Sequence, residues 1–168
     1  MSEPIKKVSI IASKGSLDGI YPALILANGA RAEGIEASIF FTFFGFAALH
    51  KKLLGGLKIG TVGNPSLNMA MPLLGFPITF PFPTWLGAIP GVSAFASWVM
   101  KRRIRQLGIP PVPEFIKLIH DSGGKIYACR ASLEMFSLTK DDLIPEVDAV
   151  LTVADFYEKS AGAKIIFV

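Results

Sequence analysis

The chain predicts an α/β fold, a mostly parallel five-stranded sheet with helices on both faces. Three observations carry that expectation. Apolar runs of strand length alternate with segments at helical spacing, beginning and ending on a strand. The runs are rich in β-branched and aromatic residues without a clean polar alternation, as in strands buried on both sides. Glycine and proline gather at the boundaries between runs, where turns belong.

Val8 to Ala12 is the first strand. Ser13-Lys14-Gly15-Ser16-Leu17-Asp18-Gly19 then reads as a turn with Ser and Asp N-cap candidates for the helix that follows, Asp18 being the one favoured. That helix covers Ile20 to Ala32, with Leu24, Ala27 and Arg31 at helical spacing, and Gly34 closes it. Ala37 to Phe41 is the second strand, and Phe44 to Leu54 is expected as a helix stopped by Gly55-Gly56. The alternation resumes with a helix over Pro113 to Asp121, proline in its first turn, and a third strand over Lys125 to Ala128. Short helical pieces follow at Ser132 to Phe136 and at Lys140 to Leu143, the second capped by Thr139. Ala149 to Leu151 is a strand, Ala154 to Ser160 a helix and Ala163 to Phe167 the last strand. In a parallel sheet, ligands collect at the carboxyl ends of the strands, which here bear Ser13 to Asp18, Thr42 to Gly45 and the turn at Cys129.

The middle of the chain breaks this rhythm. Residues 59–100 contain no Asp, Glu, Lys or Arg, yet Pro65, Pro72, Pro77, Pro81, Pro83 and Pro90 interrupt them. No proline-free stretch reaches the ~18 to 20 residues of a spanning helix, so a conventional transmembrane segment is not expected. We read one domain over 1–168 with an apolar, Pro/Gly-rich insertion at about 56–100. Three roles fit such an insertion: a surface packed against a neighbouring subunit, a lid over the site, or a shallow membrane contact. Gly91 to Met100, followed by Lys101-Arg102-Arg103-Ile104-Arg105, suits a helix ending in cations. Met69 and Met71 are expected to fill gaps.

Composition narrows the function classes. Half the residues are apolar and mean hydropathy is +0.50, so much surface is expected to be covered by an oligomer or a membrane. The net charge of +4 is scattered apart from the one basic run, without the aromatic interleaving of a nucleic-acid platform. A single cysteine, Cys129, excludes an internal disulfide and a cysteine-based metal cluster. His50 and His120 stand apart at helix ends, so no metal site is expected. No Gly-x-Gly-x-x-Gly and no phosphate loop appears, and no cofactor is expected. The first residues, Met-Ser-Glu-Pro-Ile-Lys-Lys, carry no apolar signal segment, which sets a cytoplasmic, reducing location as the default. Cys129 itself stands where the third strand runs into a helix. There the unpaired N–H groups of the helix start favour a thiolate, and Arg130 adds a full positive charge.

Several phrases taken together resemble a known family. They are Ser13-Lys14-Gly15-Ser16-Leu17-Asp18 with Tyr21-Pro22-Ala23 and Ala27-Asn28-Gly29-Ala30, then Phe40-Phe41-Thr42-Phe43-Phe44-Gly45-Phe46. Ile109-Pro110-Pro111-Val112-Pro113-Glu114 and Ala128-Cys129-Arg130-Ala131-Ser132-Leu133-Glu134-Met135 complete the set. The chain resembles the DsrE/DsrF-like sulfur-carrier family, in its longer branch with an apolar insertion, often labelled peroxiredoxin-like. The resemblance implies a flavodoxin-like, Rossmann-like α/β fold, homo-oligomers, and a cysteine that accepts sulfur as a persulfide or bound thiosulfate and passes it to a partner protein. The family pattern often has glycine where Ser137 stands. The peroxiredoxin label fits poorly, because no second cysteine is present to resolve a sulfenic acid.

On this reading Cys129 is the sulfur-accepting residue, and its thiolate must be accessible. Whether such a carrier turns over as an enzyme stays open, because sulfur can be moved stoichiometrically. The donor is anionic, so Lys14 and Arg130 are expected to attract it and to lower the thiol pKa. Ser13 is expected to donate to it, Ser132 to cap the helix beneath the thiol, and Thr42 and Phe44 to line the wall. Expected partners are a small sulfur-carrier protein or other thiol acceptor, a thiosulfate or persulfide donor and a second copy of the chain, with no nucleic acid. The rival reading is a non-catalytic oligomeric or membrane-associated adaptor that works through the insertion.

Overall fold

The computed structural model describes residues 4–62 and 84–168. The chain forms two compact units, one ending at Leu57 and resuming over Val112–Val168, the other spanning Lys58–Pro111.

The first unit is built on five strands: β1 (Lys7–Ala12), β2 (Glu36–Phe41), β3 (Lys125–Cys129), β4 (Ala149–Leu151) and β5 (Lys164–Phe167). Every pairing among them is parallel, in the order β4-β3-β2-β1-β5. The sheet therefore grows in one direction through four strands and returns to the far side of β1 for the fifth. Register places Ile10, Ile39 and Ile126 in one row across the sheet, all fully buried. That face is covered by α1 (Leu17–Ala32), which packs on β1 and β2, and by α3 (Val112–Asp121), which packs on α1 and β3. Leu24 and Ala27 of α1 and Ile116 and Ile119 of α3 are completely buried, which is what their helical spacing dictates. The opposite face is covered by α5 (Val153–Lys159), whose Phe156 ring stacks on Phe40 at 4.6 Å. Helices on both faces give the α/β architecture expected.

Two local expectations give way. The N-cap of α1 is Ser16, and Asp18 lies in the first turn, since the helix begins at Leu17 rather than Ile20. An acidic group there still favours the positive end of the helix dipole. The apolar stretch after β2 is not an α-helix from Phe44 to Leu54. A 3-10 turn covers Phe43–Ala48 and a second one Leu54–Gly56. The reason lies in Phe43, whose φ of 48° opens the turn in the left-handed region, and in Gly45, where a Cβ would overlap the Ala12 carbonyl oxygen. Further on, the Thr139 cap is present, its N–H donating to Asp142 Oδ2 at 2.9 Å.

In the second unit, α2 (Val92–Gln106) runs straight through the basic stretch. Ala96 and Val99 are buried, and the Ser97 hydroxyl accepts the Ile59 N–H at 2.9 Å. Pro65, Pro72, Pro77, Pro81, Pro83, Met69 and Met71 lie outside the described residues. No helix among the described residues is long and apolar enough to cross a membrane.

Candidate functional site

The site starts from the way β3 is anchored. Gly123 turns the chain out of α3 with φ 90°, and Gly124 sits so close to Ile119 that any side chain would displace it. Asp148 then holds the strand's first residues: its carboxylate accepts the Ile126 N–H at 2.9 Å and pairs with Lys125 Nζ at 2.8 Å. Between β2 and β4, β3 is central in its part of the sheet, so its last residue is delivered rigidly.

That last residue is Cys129, in extended conformation as the N-cap of α4 (Arg130–Met135). Strand alternation puts its side chain on the same face as Tyr127, in a cluster with Phe40, Leu151 and Phe156. Cys129 is only 5 % exposed, which corrects the expectation of an accessible thiol. It is enclosed by a cluster of Phe40, Leu151 and Phe156, the last of these from α5.

Burial alone would push the thiol pKa up, yet the thiol titrates below its ordinary value. Donors outweigh the desolvation: the Thr42 hydroxyl, the amide and hydroxyl of Ser132, and the Ala131 amide. Hydrogen bonds from these donors favour the thiolate over the thiol. All of them are neutral groups.

Ser132 is the hub of this arrangement. It is 2 % exposed, its Oγ accepts the Phe43 N–H at 2.7 Å, and it lies 3.3 Å from Thr42 Oγ1. The extended Thr42 aims the Phe43 N–H at Ser132, and Phe43 itself then turns the chain in the left-handed region, which an L-residue adopts only at a cost of about 1–3 kcal/mol. Thr42 is fixed in turn, since its N–H donates to the Ala12 carbonyl at 3.0 Å. The 3-10 turn after β2 touches both β3 and α4. It carries an exposed aromatic rim: Phe44 is 64 % exposed, 6.2 Å from Phe43 and 6.0 Å from Phe136.

Thr42 and Ser132 are thus brought to Cys129, and Phe44 to the rim beside it. The remaining expected residues point elsewhere. The Ser13 hydroxyl donates to the Val168 carbonyl at 3.1 Å, tying β1 to the last residue of the chain. Lys14 is exposed and its stem lies over Gly19 in α1. Arg130 is exposed and its charge acts on Asp155, the capping carboxylate of α5. The cations chosen by sign are therefore not the groups that lower the thiol pKa. Sequence reasoning missed Phe156, Leu151 and Phe136; only the two-residue alternation of Tyr127 and Cys129 hinted at an apolar neighbourhood. Among the described residues no group of three His, Cys, Asp or Glu converges as a metal site.

Removing the hub should be measurable. Ser132→Ala is expected to slow iodoacetamide alkylation of Cys129 near neutral pH about fivefold to tenfold, because a charge-assisted hydrogen bond is lost. The alkylation midpoint should move to higher pH. An unchanged profile would remove Ser132 from thiol activation.

Comparison with known proteins places these features in context. A model of the DsrE/DsrF/DrsH-like family matches residues 4–167. A protein of Allochromatium vinosum named sulfur carrier protein DsrE2 is 36 % identical over 151 residues, covering 90 % of this chain and 91 % of its own. The uncharacterized protein YrkE of Bacillus subtilis is 26 % identical over the full length of both chains. Among solved structures, the protein of unknown function MTH1491 from Methanobacterium thermoautotrophicum superposes with a TM-score of 0.54 at 10 % identity. The match covers 96 % of this chain and 98 % of that one, a likeness of fold alone.

Proposed function

The chain belongs to the DsrE/DsrF/DrsH-like family, and from that membership we propose that it is a cysteine-based sulfur carrier that loads sulfur on Cys129. The observation that carries this reading is the thiol lowered by four neutral donors at the carboxyl end of a central strand. The Cys129 thiolate attacks the outer sulfur of a persulfide donor. The sulfur–sulfur bond of the donor breaks, its thiolate leaves, and Cys129 keeps a persulfide. With thiosulfate the leaving group is sulfite; with tetrathionate a thiosulfate group stays on the cysteine and thiosulfate leaves. An acceptor thiolate on a partner protein then takes the outer sulfur and returns Cys129 to its starting state. No step requires an external oxidant.

Neutral donors suit this task. They stabilise the thiolate before loading and the persulfide anion after it without fixing a counter-charge that would hold the sulfur in place. Lys14, Arg130 and Ser13, which are engaged elsewhere, have no part in ionising the thiol. The aromatic rim of Phe43, Phe44 and Phe136 receives the donor or the acceptor. The test is intact-protein mass spectrometry after incubation with thiosulfate, tetrathionate and polysulfide. A reductant-reversible adduct confined to the Cys129 peptide is expected. No adduct with any donor would overturn the reading.

A second reading has its own support, in α2. Phe95 and Trp98 stack at 6.2 Å on its exposed side, Trp98 being 50 % exposed, and the Arg102 guanidinium lies over the Trp98 ring at 5.6 Å. The Lys58–Pro111 unit carries five cations and no Asp or Glu. Aromatic rings beside a basic run suit the surface of an anionic membrane. Sedimentation with phosphatidylserine-containing vesicles should therefore exceed that with phosphatidylcholine alone. Each Lys or Arg removed from 101–105 should weaken it about fivefold, at about 1 kcal/mol per cation. Equal sedimentation with both vesicle types would dismiss this role.

A further inference from the structure

A cavity of about 440 Å³ opens at the amino ends of β1, β2 and β3, on the face covered by α5. Cys129 lies at the other end of β3, four residue steps or roughly 13 Å away. Tyr127 adjoins both the cavity and the cluster around Cys129, while the lysines of the cavity stand at the opposite end of the sheet. The cavity lining includes three lysines, Lys7, Lys125 and Lys159, and one carboxylate, Glu36.

The lysines are not equivalent. Lys125 is neutralised by Asp148 at 2.8 Å. Lys7 donates to the carbonyls of Lys159 and Ala161 at 2.7 and 3.2 Å, partners that orient its ammonium but carry no formal charge. Lys159, the last residue of α5, also lines the cavity; its carbonyl accepts from Lys7, and its charge acts on Asp155 one turn back as well. Counted with Asp148, the formal charges of the lining sum to +1, three lysines against Glu36 and Asp148. Two neutral groups complete it. Ser38 Oγ is paired with the fully buried Ser9 Oγ at 3.0 Å, and the half-buried Tyr127 ring forms an apolar side.

The volume falls within the range of small-molecule sites and is far larger than a bare inorganic ion fills. A positive wall over an aromatic floor selects an anion with an organic body. We propose that this cavity binds a small organic oxyanion, its phosphate or carboxylate held by Lys7 and Lys159 and its body against Tyr127, with Glu36 accepting a hydrogen bond from it. Nothing in this assignment depends on sulfur transfer.

Pyridoxal 5′-phosphate is a suitable probe, because it joins an oxyanion to a planar ring and its aldehyde condenses with a lysine amine. The full chain is incubated with it, reduced with borohydride and mapped by peptide mass spectrometry. Label concentrated on Lys7, Lys125 and Lys159 among the twelve lysines is the expected result. Lys159→Gln, an exposed change at a helix end, should cut the label on Lys7 and Lys125 about tenfold. Competition by inorganic phosphate at lower concentration than acetate assigns a phosphate, and the reverse order a carboxylate. Label spread evenly over exposed lysines, or unchanged by Lys159→Gln, would overturn the proposal. So would protection of all three while the other lysines react, since a second copy of the chain would then cover the face.

Discussion

Cys129→Ser is expected to abolish sulfur loading completely while leaving the chain folded. A serine hydroxyl does not ionise near neutral pH, so the nucleophile disappears. The fold should tolerate the change because two effects of similar size oppose each other. Serine is a better N-cap than cysteine, worth about 1 kcal/mol at the start of α4. Placing a hydroxyl against Phe40, Leu151 and Phe156 costs about 1–3 kcal/mol if it is unpaired. Thr42, Ser132 and the Ala131 amide are at hand to pair it. The melting temperature should therefore stay within a few degrees of the wild type, and mass spectrometry with polysulfide should show no adduct. Persistent loading of the variant would refute the central role of Cys129. A pH dependence follows as well. The folded thiol has a lowered pKa, so its thiolate adds stability that is present above the unfolded-state pKa. That stability is lost as the pH falls through the folded-state value. Relative to Cys129→Ser, the wild type should gain stability as the pH rises across that window.

Gly45→Ala should have the largest effect on stability. Its added methyl group would meet the Ala12 carbonyl oxygen, a backbone atom that cannot swing aside. Gly45 also donates its N–H to the Ser13 carbonyl at 2.9 Å, so the turn after β2 and the loop after β1 are locked to each other. Overpacking of this kind costs about 1–3 kcal/mol, a fall of several degrees in melting temperature for a chain of this size. The same shift would pull the Phe43 amide away from Ser132, so alkylation of Cys129 should slow in parallel. Gly55→Ala is the control, because open space surrounds that position. A Gly45→Ala protein with unchanged melting and unchanged alkylation would show that the contact is not rigid.

The strands were legible because Val8 to Ala12, Ala37 to Phe41 and Lys125 to Ala128 are short β-branched and aromatic runs bounded by turn residues, too short for a helix. Cys129 was legible too, from Gly123-Gly124 before the strand and a helical pattern after it. The turn at Phe43 was not. Phe44 to Leu54 has the apolar spacing of a helix, and the contact that overrides it lies at Ala12, thirty-odd residues earlier in the chain. The same blindness explains the cations. Lys14 and Arg130 are near Cys129 in sequence or in loop order, and their sign is right. Which groups touch a sulfur depends on side-chain direction, and that brought in the neutral Thr42 and Ser132 and turned Arg130 toward Asp155.

The burial of Cys129 has a consequence for how cargo is guarded. A sulfur–sulfur bond adds roughly 2 Å to the side chain. If Cys129 loads sulfur as proposed, its empty thiol is recessed among Phe40, Leu151 and Phe156, and a donor must reach in past the rim to meet it. A loaded Cys129 would carry its outer sulfur farther from the strand than the empty thiol. Exchange out of the loaded state should then be faster than loading of the empty one, a difference of rate set by depth.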